Sequence, residues 1–288
     1  MTRGDPIASM PLAPFSVQDR TALVTGAAGG LGLAFAQVLH DAGARVTMVD
    51  VDGTKLDAAA TQVGDSNRVR TAVCDVTDEA ALATVFDAAA GRHGGLDVVF
   101  ANAGIDSGAA GATDWQGQPQ AIGAMENVEI ARWHRTLDVN LTGVFHTLRQ
   151  ASRVMKPRRS GRIIVTSSVV AARNQTSVGI PYPVSKAGVA HLTRNAALEL
   201  APFGITVNAI APGTFVTDIA GGAVRSPEVQ AAIGRMVPLG RVGQTDEIKG
   251  LALFLASDAS SYVTGAHIAI DGGLSVAGSE AGSHGSGQ

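Results

Sequence analysis

A tyrosine and a lysine stand four residues apart in the segment Tyr182-Pro183-Val184-Ser185-Lys186. If a helix begins near Tyr182, this spacing places both side chains on one face, and Pro183 is tolerated because it falls in the first turn. A phenol with an ordinary pKa of about 10 is a poor acid or base at neutral pH, but a nearby cation favours the phenolate. The pair therefore indicates proton transfer with a substrate oxygen, and the alternative is an ordinary core or interface tyrosine.

Two serines, Ser167 and Ser168, end the β-branched segment that starts at Arg162. Strand alternation places their side chains on opposite faces, so one of them would face a substrate. A hydroxyl there donates a hydrogen bond to the substrate oxygen as charge builds on it. We predict that Ser168 has this role, and a simple turn residue is the alternative for each serine.

A glycine-rich segment, Thr25-Gly26-Ala27-Ala28-Gly29-Gly30-Leu31-Gly32, lies between a predicted strand and a predicted helix. Its glycines permit the tight turn and close backbone approach that a pyrophosphate needs at a helix N-terminus. The second predicted strand ends in Asp50, whose carboxylate would accept hydrogen bonds from the adenosine ribose and repel a 2'-phosphate. Because Val51 follows and brings no basic group, NAD is expected rather than NADP. A glycine-rich turn with a capping Asp is the alternative.

Short β-branched segments alternate with longer alanine-rich segments of helical period, which is the pattern of repeated strand-helix-strand units. The pattern predicts an α/β fold with a doubly wound parallel sheet of about seven strands and helices on both faces. The predicted strands are Thr21–Thr25, Arg45–Val49, Arg68–Cys74, Asp97–Ala101, Gly161–Ser167, Thr206–Ile210 and His267–Ile270. The predicted helices are Leu31–Ala42, Asp78–His93, Ile130–Lys156, Tyr182–Ala201 and Asp246–Leu255, with a weaker one at Thr54–Val63.

The composition narrows the classes of function. The chain has 288 residues, 45% of them hydrophobic, which is enough for one large domain. Its formal net charge of -3 gives no basic face for nucleic acid or an anionic membrane, and neither a signal peptide nor a membrane span is evident. The one cysteine, Cys74, lies in an apolar segment and is expected in the core. We therefore expect a cytoplasmic protein without a nucleic-acid or membrane partner, and the histidine spacing suggests no metal site.

We divide the chain into an N-terminal extension (1–18), a dinucleotide-binding catalytic domain (19–276) and a flexible tail (277–288). Within the domain, residues 104–128 form a connection too long for its role, with little periodicity. It follows the fourth predicted strand and so leaves from the carboxyl edge of the sheet, where open α/β sheets bind ligands. We predict that it is a wall or lid over the substrate.

Taken together, these motifs make the chain resemble the short-chain dehydrogenase/reductase family, over about residues 18–275. The resemblance implies a single-domain Rossmann-type fold and NAD(P)-dependent alcohol dehydrogenase or ketoreductase activity. It rests on the glycine turn, Asn102-Ala103-Gly104, Asn140, Ser168, Tyr182 with Lys186, Pro212-Gly213 followed by Thr217, and Asp271-Gly272-Gly273.

The resemblance implies that Tyr182 is the acid/base and that Lys186 lowers its pKa and holds the nicotinamide ribose. Ser168 would orient the carbonyl or alcohol, and Asn140 would hold a water that relays protons from Lys186. The expected cofactor contacts are Gly26, Gly30, Leu31, Gly32, Asp50, Val51, Asp75, Val76, Asn102, Ala103, Gly104, Tyr182, Lys186, Pro212, Gly213, Phe215 and Thr217. The expected substrate contacts are Ser168, Val170, Tyr182 and Gly213.

Two spacings differ from the family pattern. Ser168 precedes Tyr182 by 14 residues, one more than is most often seen, so counting back alone would select Val169. Asn102 and Asn140 are 38 residues apart, which locates an insertion in residues 104–128 and weakens substrate inference from relatives.

The sequence thus predicts an NAD-dependent oxidoreductase that interconverts a moderately hydrophobic secondary alcohol and its ketone. One alternative is a reductase of 3-oxoacyl thioesters, which Asp50 and the acidic charge balance disfavour. Another alternative is an inactive nucleotide-binding sensor or scaffold. Binding alone would not need Asn140, Ser168, Tyr182 and Lys186 together. The resemblance also implies a homo-oligomer, with a homotetramer expected, through Ile130–Lys156, Tyr182–Ala201 and His267–Ile270.

Overall fold

A computed structural model of the chain describes residues 13–64, 67–106, 111–114, 117–217 and 219–277. Within them, seven strands form one parallel sheet in the order β3-β2-β1-β4-β5-β6-β7. The strands are β1 (Thr21–Thr25), β2 (Arg45–Asp50), β3 (Val69–Val73), β4 (Val98–Ala101), β5 (Gly161–Thr166), β6 (Ile205–Pro212) and β7 (His267–Ile270). The helices are α1 (Gly30–Asp41), α2 (Gly53–Val63), α3 (Glu79–Arg92), α4 (Ile130–Leu137), α5 (Gly143–Met155), α6 (Pro181–Leu200), α7 (Pro227–Gly234) and α8 (Lys249–Ala256). The predicted doubly wound sheet is confirmed.

Apolar helix faces cover both sides of the sheet. On one side, α1 and α8 pack on the strands, and Phe35 stacks on Phe100 with ring centroids 4.7 Å apart. On the other side, α3, α5 and α6 contribute buried residues that include Phe86, Leu148 and Val189. Because strands buried on both faces are held rigidly, the residues that follow their carboxyl ends have fixed positions.

The order of the strands reverses at β1, which pairs with β2 on one side and with β4 on the other. The connections after β1 and β4 therefore leave the sheet toward opposite faces. A crevice opens between them at the carboxyl edge, where ligands bind in sheets of this kind. The glycine turn and Asn102 both lie at this crevice.

One long helix over Ile130–Lys156 was expected, and that prediction is wrong in detail. The structure has α4, then a π-helical segment over Asp138–Thr142, then α5 and a short 3-10 turn. The interruption contains Asn140, whose side chain bonds to the backbone of another segment. A π-helical turn of this kind adds a residue to the helix, and such turns are frequent at functional sites. Helix α7 was not predicted.

The last residues of the expected N-terminal extension (1–18) pack against the domain. Val17 is fully buried in the core, and the Phe15 ring lies 6.4 Å from that of Phe254. Residues 1–12 of the expected extension and 278–288 of the expected tail fall outside the described residues. Cys74 is buried, as expected.

Candidate active site

The turn between β1 and α1 forms a close-packed cradle. Gly26 has φ +66°, and a Cβ atom there would lie 2.8 Å from the Cα atom of Ala103. A Cβ atom on Gly32 would overlap the carbonyl oxygen of Gly26. Gly29 is the N-cap of α1, no side chain caps that end, and open space lies beside it. The first N–H groups of α1 are therefore available to an anion, so the turn fits the pyrophosphate of a dinucleotide.

Asp50 ends β2 beside this cradle. Its carboxylate oxygens accept hydrogen bonds from the backbone N–H of Ala28 at 3.0 Å and of Asp52 at 3.1 Å. The next residue, Val51, is exposed and offers an apolar surface. The carboxylate is thus held in one orientation at the place where the ribose of an adenosine would lie next to the pyrophosphate.

Asp75 and Val76, which follow β3, were expected to contact the adenine. The Asp75 carboxylate accepts hydrogen bonds from the backbone N–H and the hydroxyl of Thr77, at 2.9 and 2.8 Å. The backbone hydrogen bond is the main reason why the pKa of Asp75 is lowered. Val76 is buried, and a Cβ atom on Gly143 would lie 2.6 Å from its methyl group. Both residues therefore have structural contacts of their own.

Asn102 joins three strands at the crevice. Its amide nitrogen donates to the carbonyls of Thr25 and Gly26, at 3.0 and 3.1 Å, and its amide oxygen accepts from the Thr166 hydroxyl at 2.9 Å. The Thr25 hydroxyl in turn accepts from the backbone N–H groups of Asn102 and Ala103. These bonds fix the ends of β1, β4 and β5 relative to one another.

The segment after β6 closes the crevice from the other side. Thr217 is buried, and its methyl group lies 3.4 Å from the position of a Cβ atom on Gly30, so the segment reaches the glycine turn. Gly213 packs against Asp271, whose carboxylate accepts from the backbone N–H groups of Gly273 and Ser275. These contacts pack the Asp271-Gly272-Gly273 segment against the residue that follows β6.

Phe215 departs from the expected cofactor contact. Its side chain is buried in the core beside Gly243, where a Cβ atom would lie 2.8 Å from the ring. Only the backbone of Phe215 can face a cofactor, because the ring points into the protein.

Helix α6 places Tyr182 and Lys186 one turn apart, with the Lys186 ammonium 5.6 Å from the centroid of the Tyr182 ring. Lys186 is buried, and its Nζ atom donates to the carbonyl of Thr166 at 2.8 Å. Burial lowers the pKa of Lys186 to about 8. A Cβ atom on Gly104 would lie 3.5 Å from this Nζ atom, so Gly104 lies beside the ammonium group.

The structure brings Ser168, and not Ser167, to Tyr182. Part of the Tyr182 side chain remains exposed. The pKa of Tyr182 is nevertheless raised to about 12, and burial is the largest cause. A hydrogen bond with Ser168 lowers this pKa, whereas the charge of Asp106 raises it further. The expected lowering of this pKa is therefore wrong for the chain by itself, because loss of water around the phenol is the dominant effect. Val170, another expected substrate contact, is buried behind Ser168, to whose hydroxyl its backbone N–H donates.

Asn140 is fully buried in the π-helical segment. Its amide oxygen accepts from the backbone N–H of Ile105 at 2.7 Å, and its amide nitrogen donates to the carbonyl of Ile105 at 2.8 Å and to the Ser185 hydroxyl at 3.2 Å. The side chain is thus occupied in clamping the start of the long loop beside α6.

The described part of the 104–128 loop packs on the segment that precedes Tyr182. The backbone N–H of Thr113 donates to the carbonyl of Thr176 at 3.2 Å, and the two hydroxyl groups are 3.0 Å apart. Gly111 is so close to Thr176 and Ser177 that a Cβ atom would overlap their backbone. The described part of the loop therefore lies against the segment that leads into Tyr182.

Two features of the site were missed. Asp106 is partly buried two residues beyond Gly104, close enough to Tyr182 to shift its pKa. Asp106 is the first charged residue after Asn102-Ala103-Gly104, and this position in the sequence could have identified it as a candidate site residue. Ser167 donates to the carbonyl of Lys186 at 3.3 Å and lies 3.0 Å from the His267 ring. No local pattern reveals that contact, because β7 is 100 residues away.

Among the described residues, three or more His, Cys, Asp or Glu side chains do not come together in a way that could hold a metal ion. In the same part of the chain, we find no helix with the length and hydrophobicity needed to cross a bilayer.

The comparisons with known proteins agree with this geometry. A family model described as Enoyl-(Acyl carrier protein) reductase matches residues 26–275. Cis-4-hydroxycyclohexanecarboxylate dehydrogenase of Sinomonas cyclohexanicum is 39% identical over 90% of this chain and 97% of its own.

Two solved structures are similar over almost their whole length. A short-chain type dehydrogenase/reductase from Mycobacterium marinum has 35% identity and a TM-score of 0.80, covering 91% of this chain and 98% of that one. A gluconate 5-dehydrogenase from Burkholderia cenocepacia, in complex with NADP and tartrate, has 33% identity and a TM-score of 0.82, covering 93% and 100%.

A nucleotide cradle, a tyrosine in contact with a serine, and a buried lysine one turn away are arranged for hydride and proton transfer at one carbon and its oxygen. The chain belongs to the short-chain dehydrogenase/reductase family, and it is an oxidoreductase that uses a nicotinamide cofactor to interconvert a secondary alcohol and its ketone.

Proposed function

We propose that this enzyme prefers NAD to NADP. The observation that carries the proposal is the Asp50 carboxylate, which two backbone N–H groups hold in place beside the glycine turn. A 2'-phosphate would stand next to this fixed negative charge, whereas ribose hydroxyls donate hydrogen bonds to it. The neighbouring cation, Lys55, forms an ion pair with Asp52 at 3.0 Å. One solved relative is in complex with NADP, so the relatives do not support a preference for NAD. The proposal therefore depends on the residues of this chain.

The proposed substrate is a moderately hydrophobic, cyclic secondary alcohol or its ketone. A related dehydrogenase acts on cis-4-hydroxycyclohexanecarboxylate, which supports a ring of that size. The expected walls, residues 104–128, 169–180 and 215–224, carry few charges and supply apolar side chains. A substrate oxygen would lie between Ser168 and Tyr182.

In the proposed mechanism, an oxidised nicotinamide held beside Lys186 would supply the hydride acceptor for the carbinol carbon and a positive charge near Tyr182. Tyr182 takes the alcohol proton as a phenolate, and Ser168 donates a hydrogen bond to the same oxygen. Lys186 holds the nicotinamide ribose, and its ammonium favours the phenolate. Burial is the largest cause of a Tyr182 pKa of about 12 even with Lys186 beside the ring, so the positive charge of the oxidised nicotinamide would be needed to bring the phenolate into the working pH range.

We propose that Asn140 holds a water that relays the proton from Lys186 to solvent. Its side chain is occupied by Ile105 and Ser185, which leaves its backbone as the group that would bind the water.

The experiment is a panel of cyclic alcohols and ketones assayed by absorbance with each of the four nicotinamide forms. We expect kcat/KM to favour NAD over NADP by at least about tenfold, and Asp50→Asn to reduce that ratio. Asp57→Asn is the matched control because it removes an exposed carboxylate on α2 and leaves the ion pair of Asp52 with Lys55 intact. Tyr182→Phe should lower kcat by about 100-fold to 10,000-fold. A preference for NADP contradicts the cofactor proposal, and undiminished turnover by Tyr182→Phe contradicts the acid/base assignment.

We also propose a homotetramer located in the cytoplasm. Support comes from the exposed apolar side chains Phe145 on α5 and Leu198 on α6, and from β7 at the edge of the sheet. The single, buried Cys74 suits a reducing compartment. Light scattering and cell fractionation test the two statements.

A further inference from the structure

Asp106 is a charged group that the roles assigned above leave unexplained. Its side chain is partly buried, and among the described residues it forms neither a hydrogen bond nor an ion pair. A partly buried carboxylate without a partner carries a desolvation cost, which a ligand that donates a hydrogen bond would offset.

The position of Asp106 is fixed by its neighbours on the chain. Ile105 is held at both its backbone N–H and its carbonyl by the buried amide of Asn140. Gly104, one residue earlier, lies against the Lys186 Nζ atom. Asp106 therefore follows directly from a segment that touches the catalytic centre.

The charge of Asp106 also reaches Tyr182, since it raises the pKa of that phenol. The other groups that act on Tyr182 from the elements packed around it are Ser168, through a hydrogen bond, and Lys186, beside the ring. Asp106 thus adds a negative charge near Tyr182, in addition to the cation of Lys186 beside the ring.

We propose that Asp106 selects the substrate: it accepts a hydrogen bond from a second donor group near the carbinol carbon, and it excludes alcohols that carry a carboxylate there. This inference rests on the proposed function and narrows its substrate class. A charge-assisted hydrogen bond to a donor stabilises the bound substrate, whereas a carboxylate at the same place is repelled. The preferred substrate is thus a cyclic diol or amino alcohol rather than an alcohol with a carboxylate next to the carbinol carbon.

The test compares four probes with NAD: cyclohexanol, cyclohexane-1,2-diol, 2-aminocyclohexanol and 2-hydroxycyclohexanecarboxylate. In the wild-type enzyme, kcat/KM should be higher for the diol and the amino alcohol than for cyclohexanol, and lowest for the carboxylate. Asp106→Asn should reduce the diol-to-carboxylate ratio of kcat/KM by about tenfold, the size of one hydrogen bond to a charged group. Comparison of kcat/KM for the diol and the amino alcohol shows whether Asp106 prefers a neutral hydrogen-bond donor or a cationic one.

Asp57→Asn is the matched control, since it removes an exposed carboxylate on α2, and it should leave the ratio unchanged. Asp106→Ser should repeat the effect of Asp106→Asn, which guards against a folding defect in one variant. The oxidation of cyclohexanol gives a second readout. Because the Asp106 charge raises the pKa of Tyr182, Asp106→Asn should shift the pH midpoint of this reaction to lower pH.

An unchanged diol-to-carboxylate ratio in both Asp106 variants overturns the inference, even if cyclohexanol is oxidised normally. A different result would contradict the proposed function itself: Tyr182→Phe would keep its activity, or none of the four alcohols would be oxidised. In that case the role of Asp106 is contradicted as well.

Discussion

On the cofactor side of the active site, backbone segments approach so closely that side chains are excluded, whereas the substrate side is held by a few contacts between loops. Gly32 lies against the Gly26 carbonyl, and Asn102 ties three strand ends together. In contrast, the contacts of the long loop with the segment before Tyr182 are those of Gly111 and Thr113 in the described part of the loop. A dinucleotide has one shape, so a rigid site suits it, while loops permit substrates to differ between relatives.

The largest effect is expected on the cofactor side. Gly32→Ala places a methyl group on the Gly26 carbonyl, so it should lower the free energy of unfolding by about 3 kcal/mol and raise the Kd for NAD at least about tenfold. Gly29→Ala, in the same turn but beside open space, is the control and should cost less than about 1 kcal/mol. For both variants, chemical denaturation measures the free energy of unfolding and calorimetric titration measures the Kd for NAD. Equal losses in the two variants would show that packing in this turn is not the constraint.

An intermediate effect is expected for Lys186, which belongs to the same rigid side. Its pKa is about 8 in the folded chain, below the ordinary 10.5, so between these values the unfolded chain binds more protons and stability rises with pH. Between pH 8 and pH 10, the free energy of unfolding of the wild type should rise by about 2 kcal/mol relative to Lys186→Met. Lys55→Met, at an exposed lysine, should follow the wild type. A constant difference over this range would mean that Lys186 titrates normally.

The smallest effect is expected on the substrate side. Gly111→Ala pushes the loop away from Thr176, so KM for the alcohol should rise about threefold to tenfold while the free energy of unfolding changes by less than about 1 kcal/mol. Gly91→Ala, in α3 beside open space, should leave KM unchanged. Steady-state kinetics with saturating NAD decide the matter. A change of more than about 3 kcal/mol in unfolding would show that this loop is as rigid as the cofactor side.

The same contrast explains what could be predicted from the sequence. The cofactor turn was predictable because glycine spacing between a strand and a helix restricts the backbone locally. Tyr182 and Lys186 were predictable because helical spacing alone brings them together. The pKa of Tyr182, the burial of the Phe215 ring and the π-helical turn at Asn140 depend on segments distant in the chain, so no local pattern contains them. The contacts of the loop with Thr176 were beyond reach for the same reason.

The clamp of Asn140 on Ile105 has a consequence for how such enzymes diversify. Asn102 is bonded to the end of β1 and Ile105 to Asn140, and the long loop in which an insertion is expected continues from there. Additions or deletions beyond this point change the length of a loop whose entry is already anchored, so they need not displace Gly104 or the lysine beside it. The clamp therefore separates the part of the gene in which insertions are tolerated from the part in which they abolish catalysis, and new substrates can be acquired by changing the former alone.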